Sequence, residues 1–158
     1  DIGRTEGAQF EQAKNIDLVE FIKYKTNDYN MLASKKSITI KFSSNVSSFQ
    51  IIIQETLFNQ ILQNFVQNAI KFTPNGKTIK IKLKKIDDKV ILNVIDEGIG
   101  IDENIDVFAP FKKVGKENGV GLGLYLAKIA SDALNAKISI KNREDGKTGA
   151  IAKLELTL

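Results

Sequence analysis

From Glu55 to Lys71 apolar residues recur at intervals of three and four: Phe58, Ile61, Leu62, Phe65, Val66, Ala69 and Ile70. That period predicts an amphipathic helix packed on a core. It stops at Thr73-Pro74-Asn75-Gly76, where proline and glycine signal a turn. An earlier helical pattern starts at Ile16-Asp-Leu-Val-Glu-Phe-Ile22 and runs towards Leu32, with Asn15 or Asp17 placed to cap it. Ser37 to Phe42 and Phe49 to Ile53 are predicted strands joined by a Ser/Asn-rich turn. Lys77 to Ile86 and Lys89 to Ile95 predict a hairpin bending at Asp87-Asp88. An irregular Gly-rich stretch follows, then a helix from about Gly121 to Leu134 and closing strands at Lys137 to Lys141 and Ile151 to Leu156. No internal repeat is present. The predicted class is α+β: a two-layer sandwich with a mixed, mostly antiparallel sheet and helices on one face.

Composition narrows the possibilities. At 158 residues and 42% hydrophobic, the chain is sized for one core. It has neither cysteine nor histidine, so disulfides and the usual zinc ligands are excluded, and a reducing, cytoplasmic setting is expected. No apolar run approaches the roughly 20 residues of a membrane span, and the opening Asp1-Ile-Gly-Arg-Thr-Glu-Gly does not have the pattern of a signal peptide. The net charge is +4, from 23 basic and 19 acidic residues, with lysines concentrated between Lys77 and Lys89. In Thr78-Ile79-Lys80-Ile81-Lys82-Leu83-Lys84 the lysines alternate with apolar residues, which predicts a strand with one buried and one solvated face. No aromatic residues interleave with them to stack bases, so a nucleic-acid partner is not expected.

Candidate chemistry begins on the 55–71 helix. Asn64, Asn68 and Lys71 fall within roughly 60° of one another, opposite the apolar stripe. An amide oxygen is a neutral hard ligand suited to magnesium, and a lysine one turn away balances phosphate charge. Gln60, Gln63 and Gln67 are polar too, so a plain wet helix face remains open on these residues alone. Asp96-Glu97-Gly98-Ile99-Gly100 ends an apolar strand. A carboxylate there can accept from the exocyclic amine of adenine, and glycines two and four residues on let the backbone approach the base; a simple strand-end turn is the alternative. Phe108-Ala-Pro-Phe111 supplies either core anchors for a loop or the base of a lid. Lys113 and Lys116, in the charged segment that follows, are candidates to reach phosphates. Gly119-Val120-Gly121-Leu122-Gly123-Leu124 opens the last helix, where exposed N–H groups and the helix dipole suit phosphate. Neither a Rossmann nor a Walker A frame fits this spacing.

Together these residues resemble the catalytic, ATP-binding domain of sensor histidine kinases, the Bergerat fold shared with gyrase, Hsp90 and MutL. Asn64-Phe-Val-Gln-Asn68-Ala-Ile-Lys71 is similar to its N box, Asp96 to Gly100 to the first glycine box, Phe108 to Phe111 to the F box, and Gly119 to Leu124 to the second glycine box. The likeness runs from about Ile16 to Leu158. Residues 1–14 resemble the end of a dimerisation helix and its linker, with the catalytic domain over 15–158. The resemblance implies that Asn64 and Asn68 hold magnesium, Lys71 meets phosphate, Asp96 reads the adenine amine, and the Gly119 to Gly123 backbone lines the triphosphate. Catalysis would rest on Asn64 and Lys71. Gly98, Gly100, Phe108, Phe111, Lys113, Lys116, Val120, Leu122 and Leu124 would complete the ATP site.

Departures from the family pattern carry their own implications. Lys113 stands where many relatives have a lid arginine, Leu134-Asn135-Ala136 replaces His-Gly-Gly, and Ala150 takes the place of a base-binding threonine, with Thr148 as a substitute. Asn64 replaces the glutamate that activates water in the ATPase relatives, and an amide cannot act as a general base. The implied function is transfer of the γ-phosphate of Mg-ATP to a histidine on a separate dimerisation domain, with a response regulator receiver domain downstream. Such a chain would be monomeric within a homodimeric parent, itself free or membrane-anchored, and would not autophosphorylate alone. An ATPase, an anti-sigma-like serine kinase and a nucleotide-free docking module are the alternatives.

Overall fold

The computed structural model describes residues 11–110 and 122–158. The chain enters as a short strand, β1 (Lys14–Asp17), before helix α1 (Leu18–Ala33). Asp17 is the cap: its Oδ1 accepts from the backbone N–H of Val19 at 3.0 Å and of Glu20 at 3.3 Å. The helix therefore starts later than the apolar pattern predicts. Ile16 belongs to β1, where it sits opposite Ile51 of β3 (Gln50–Ile53) in a two-stranded antiparallel sheet.

β2 (Thr39–Ser44) precedes β3 in sequence but does not pair with it. The Ser/Asn-rich turn between them instead carries the chain from one sheet to the other. β2 runs parallel to β4 (Thr78–Ile86), and Asn45 prolongs that pairing by donating to the Lys85 carbonyl at 3.0 Å and accepting from its N–H at 2.8 Å. On the free edge of β2, Asn30 of α1 pairs with both backbone groups of Ile40, at 3.0 and 2.8 Å. A side chain thus satisfies an edge that would otherwise be open.

Helix α2 (Glu55–Phe72) follows β3, and β4 forms the expected hairpin with β5 (Lys89–Ile95). Asp87 in the two-residue turn has φ 53°, the left-handed conformation such turns use. Helix α3 (Gly123–Ala133) leads to β6 (Lys137–Asn142) and β7 (Ala150–Thr157). Asn135, in the segment that replaces His-Gly-Gly, takes φ 53°, so asparagine supplies the left-handed turn that glycine would.

The larger sheet has the order β2-β4-β5-β7-β6, and only the β2–β4 pair is parallel, giving a mixed, mostly antiparallel sheet. The core lies between its inner face (Ile79, Ile81, Leu83, Leu92, Leu154) and the apolar stripe of α2. Phe58 and Phe65 are fully buried there, each contributing roughly 1.5–3 kcal/mol. The ring of Phe21 from α1 meets Phe58 edge-on at 5.8 Å. This core fixes α2 across the sheet with its polar face turned away.

Candidate functional site

Asp96 ends β5 at a place where three backbone segments converge. It is only 7% exposed, and its Oδ1 accepts from the N–H of Gly98 and of Ala150, each at 2.9 Å. Both donors meet one oxygen. Oδ2 has no donor among the described residues. Burial pushes the Asp96 carboxyl above the usual range, while the two N–H donors and the Arg143 guanidinium oppose that shift without cancelling it.

The glycines around Asp96 are there because side chains have no room. A Cβ on Gly98 would lie 2.6 Å from the Phe72 carbonyl oxygen, the last residue of α2, so the strand end and the helix end touch through backbone. On Gly149, at φ 133°, a Cβ would strike the carbonyl oxygen of Asp96 itself. Gly100 (φ 84°) turns the chain against Asn142, whose amide accepts from Ile101 N–H at 2.7 Å and donates to the Ile101 carbonyl at 2.9 Å. Arg143 closes the ring. Its Nη1 donates to the Asp96 carbonyl at 3.0 Å, and its Nη2 is paired with Asp145 at 2.7 Å.

On α2, Asn64 and Asn68 are half-buried and Lys71 is exposed. Asn64 donates through Nδ2 to the Gln60 carbonyl at 2.8 Å, which leaves Oδ1 as the presented atom. That oxygen faces the start of α3: a Cβ on Gly123 would lie 3.1 Å from it. The first N–H groups of α3 have no side-chain cap, since Leu122 at the cap position cannot accept. The Lys71 ammonium lies 5.6 Å from the centroid of the Phe72 ring. Lys36 holds the end of α2 by donating to the carbonyls of Ile70 at 2.7 Å and Lys71 at 3.3 Å.

Asn64 thus faces the start of α3 at Gly123, Asp96 and Gly98 meet the end of α2 at Phe72, and Gly100 packs on Asn142 of β6. Phe108 is half-buried against the core beside buried Val107, as an anchor for its loop. Thr148 is exposed; the chain reaches Asp96 through Gly149 and Ala150 instead. Phe111, Lys113, Lys116, Gly119, Val120 and Gly121 lie outside the described residues. Sequence reasoning missed Lys36, Asn142, Arg143 and Gly149. Gly149 carried a signal, as a glycine directly before a strand marks a close backbone approach.

The donor set fits a purine nucleotide with a divalent cation. A buried carboxylate with one oxygen saturated by backbone and the other without a described donor suits an exocyclic amine. An amide oxygen beside an uncapped helix start suits magnesium and phosphate. Among the described residues no three carboxylate, histidine or cysteine side chains gather as an alternative metal site.

Comparisons with known proteins show the family and the fold. The family described as "Histidine kinase-, DNA gyrase B-, and HSP90-like ATPase" matches residues 53–158. The sensor protein KdpD of Clostridium acetobutylicum is 34% identical over 152 residues, 90% of this chain and 16% of that protein. The chain spans only 16%, 18% and 28% of the first three curated relatives it matches. The catalytic domain of histidine kinase ThkA, in a nucleotide-free form, superposes with a TM-score of 0.81 at 29% identity, covering 92% of this chain and 95% of that one. ThkA is also known in complex with the response regulator protein TrrA (26% identity, TM-score 0.76, 92% of this chain and 41% of that one). Full-length ShkA in complex with AMPPNP gives a TM-score of 0.83 at 25% identity, over 98% of this chain and 33% of that chain.

Proposed function

The chain belongs to the family of histidine kinase-, DNA gyrase B- and HSP90-like ATPases, as a catalytic ATP-binding domain of the sensor histidine kinase type, and we propose that it presents Mg-ATP to a histidine carried by another domain. The observation that carries this reading is the Asp96 carboxylate, buried and held through Oδ1 by two backbone donors, one 2 and the other 54 residues from it in sequence. With Oδ1 saturated, Oδ2 is left to accept from an adenine amine. Gly98 and Gly149 let the Phe72 and Asp96 carbonyls pack close against the chain, which fixes where the carboxylate sits.

Asn64 and Asn68 supply neutral oxygens to magnesium, and Lys71 and the start of α3 balance phosphate charge. When bound, the cation withdraws charge from the phosphates and makes the γ-phosphoryl group transferable. None of these residues is a general base. Asn64 orients; it cannot deprotonate water, so hydrolysis is slow and the γ-phosphate is kept for an incoming nucleophile. The nucleophile must come from elsewhere, because the chain contains no histidine. Residues 1–13 are proposed to be the tail of the helix and linker leading from a histidine-bearing dimerisation domain, one residue shorter than the sequence pattern because Lys14 already opens β1, with a response regulator receiver as final acceptor. The ThkA–TrrA complex supports that last assignment by analogy.

Incubation with magnesium and γ-labelled ATP tests the reading. The chain alone should gain no covalent label, and adding the histidine-bearing domain of its parent should label that domain. Label on the chain itself, or rapid release of inorganic phosphate without an acceptor, would overturn it.

A further inference from the structure

The outer face of the large sheet takes no part in the nucleotide site. Register sets its side chains in three cross-strand rows. The first is Lys41, Lys80, Ile95, Ile151 and Lys141; the second is Ser43, Lys82, Asn93, Lys153 and Ser139; the third is Lys84, Ile91, Glu155 and Lys137. Eight lysines, these seven and Lys89, thus share the strands of this face with Glu155, which Lys89 pairs at 3.1 Å. The whole chain carries only +4, so the remainder of the molecule is net negative. Along the middle strands, half-buried Ile91, Ile95 and Ile151 floor two open depressions of about 390 and 420 Å³, rimmed on the β6–β7 turn by Arg143, Glu144, Asp145 and Lys147, two charges of each sign.

We propose that this face docks the domain on a bilayer surface containing anionic lipid. Charge excludes a second copy of the same face, since lysines would meet lysines. Shape separates the two remaining polyanions. A duplex is a cylinder and would lie along about one row, whereas a planar lipid surface engages all three together. The rows hold no aromatic ring to stack a base, and Arg143 at their rim is already held by Asp145 and the Asp96 carbonyl and so is not presented as a fork to a phosphate. Lysine stems instead lie along the isoleucines with their ammonium groups in the headgroup layer, where anionic lipid attracts each of them. The site at Asp96 lies on the helix side and at the strand end, so docking leaves nucleotide access open.

Sedimentation with phosphatidylcholine vesicles, with and without phosphatidylglycerol, tests this. The chain should bind the anionic vesicles, ignore the neutral ones, and be released by salt on the order of 0.5 M. Lys80→Glu/Lys82→Glu/Lys153→Glu should lower partitioning by about 100-fold or more while ATP binding is retained. If that variant does not fold, the exposed pair Lys41→Glu/Lys84→Glu should lower it by about tenfold or more. Equal binding to both vesicle types, wild-type binding by the folded variants, or capture by duplex DNA without vesicle binding would overturn the proposal.

Discussion

The backbone N–H of Ala150 donates to Oδ1 of Asp96 at 2.9 Å, tying the start of β7 to the end of β5 through the carboxylate proposed to read the base. Asp96→Asn keeps an oxygen that can accept from both Gly98 and Ala150 and removes a charge that burial disfavours. The ligand-free variant should therefore have a Tm at neutral pH no lower than wild type while nucleotide binding is lost. Calorimetric unfolding checks this. A fall of more than about 3 °C, roughly 1 kcal/mol for a chain of this size, contradicts it.

Gly149→Ala should be among the most damaging single changes. Its Cβ would collide with the Asp96 carbonyl, and its φ of 133° disfavours any side chain. A loss of about 2–3 kcal/mol, or about 5–10 °C in Tm, is expected. Gly146→Ala is the control. It has φ 81° but nothing within 4 Å, so only the conformational cost of about 1 kcal/mol applies. Equal losses in the two variants would mean that the contact with Asp96 is unimportant.

Gly123→Ala separates binding from stability. Alanine favours the helix by up to about 1 kcal/mol, so Tm should not fall. Its Cβ would press on Asn64 Oδ1 at 3.1 Å, displacing the proposed magnesium ligand. Affinity for Mg-ATP should drop about tenfold, near 1.4 kcal/mol, with metal-free ADP binding less affected. Unchanged magnesium dependence in calorimetry would remove Asn64 from the metal site.

Two carboxylates should give opposite slopes of stability with pH. The folded-state pKa of Asp96 is raised above 3.8, so its contribution is fully present below that value and is lost as pH rises through the folded pKa. Asp145 is lowered from 3.8 to about 2, chiefly by its hydrogen bond from Arg143, so its contribution holds above 3.8 and is lost as pH falls through about 2. Nucleotide affinity should weaken as acid protonates Asp96, at a pH above 3.8. Unfolding curves of wild type, Asp96→Asn and Asp145→Asn across pH 2–7 should show each slope disappear with its own residue; a slope that survives its substitution assigns it elsewhere.

Most of the architecture was legible because it follows period. The α2 stripe and the β4 alternation each bury one face, and both elements end within a residue or two of their predicted limits. Pairing was less legible. β2 and β3 look like a hairpin by spacing, yet they enter different sheets, because nothing in the intervening serines reveals the parallel partner that Ile40 and Phe42 find in β4. The site's motifs were visible as residue types. Arg143 and Asn142 were not, since their roles depend on the β6–β7 turn folding back onto the β5 end, a contact between segments more than 40 residues apart.

The most direct test of the central claim is isothermal calorimetry of ATP and ADP, with and without magnesium, on this chain, Asn68→Ala and Asp96→Asn. The wild type should bind nucleotide, its ATP binding should depend on magnesium and weaken in Asn68→Ala, and Asp96→Asn should not bind. Absence of binding by the wild type under every condition, or undiminished binding by folded Asp96→Asn, would contradict it.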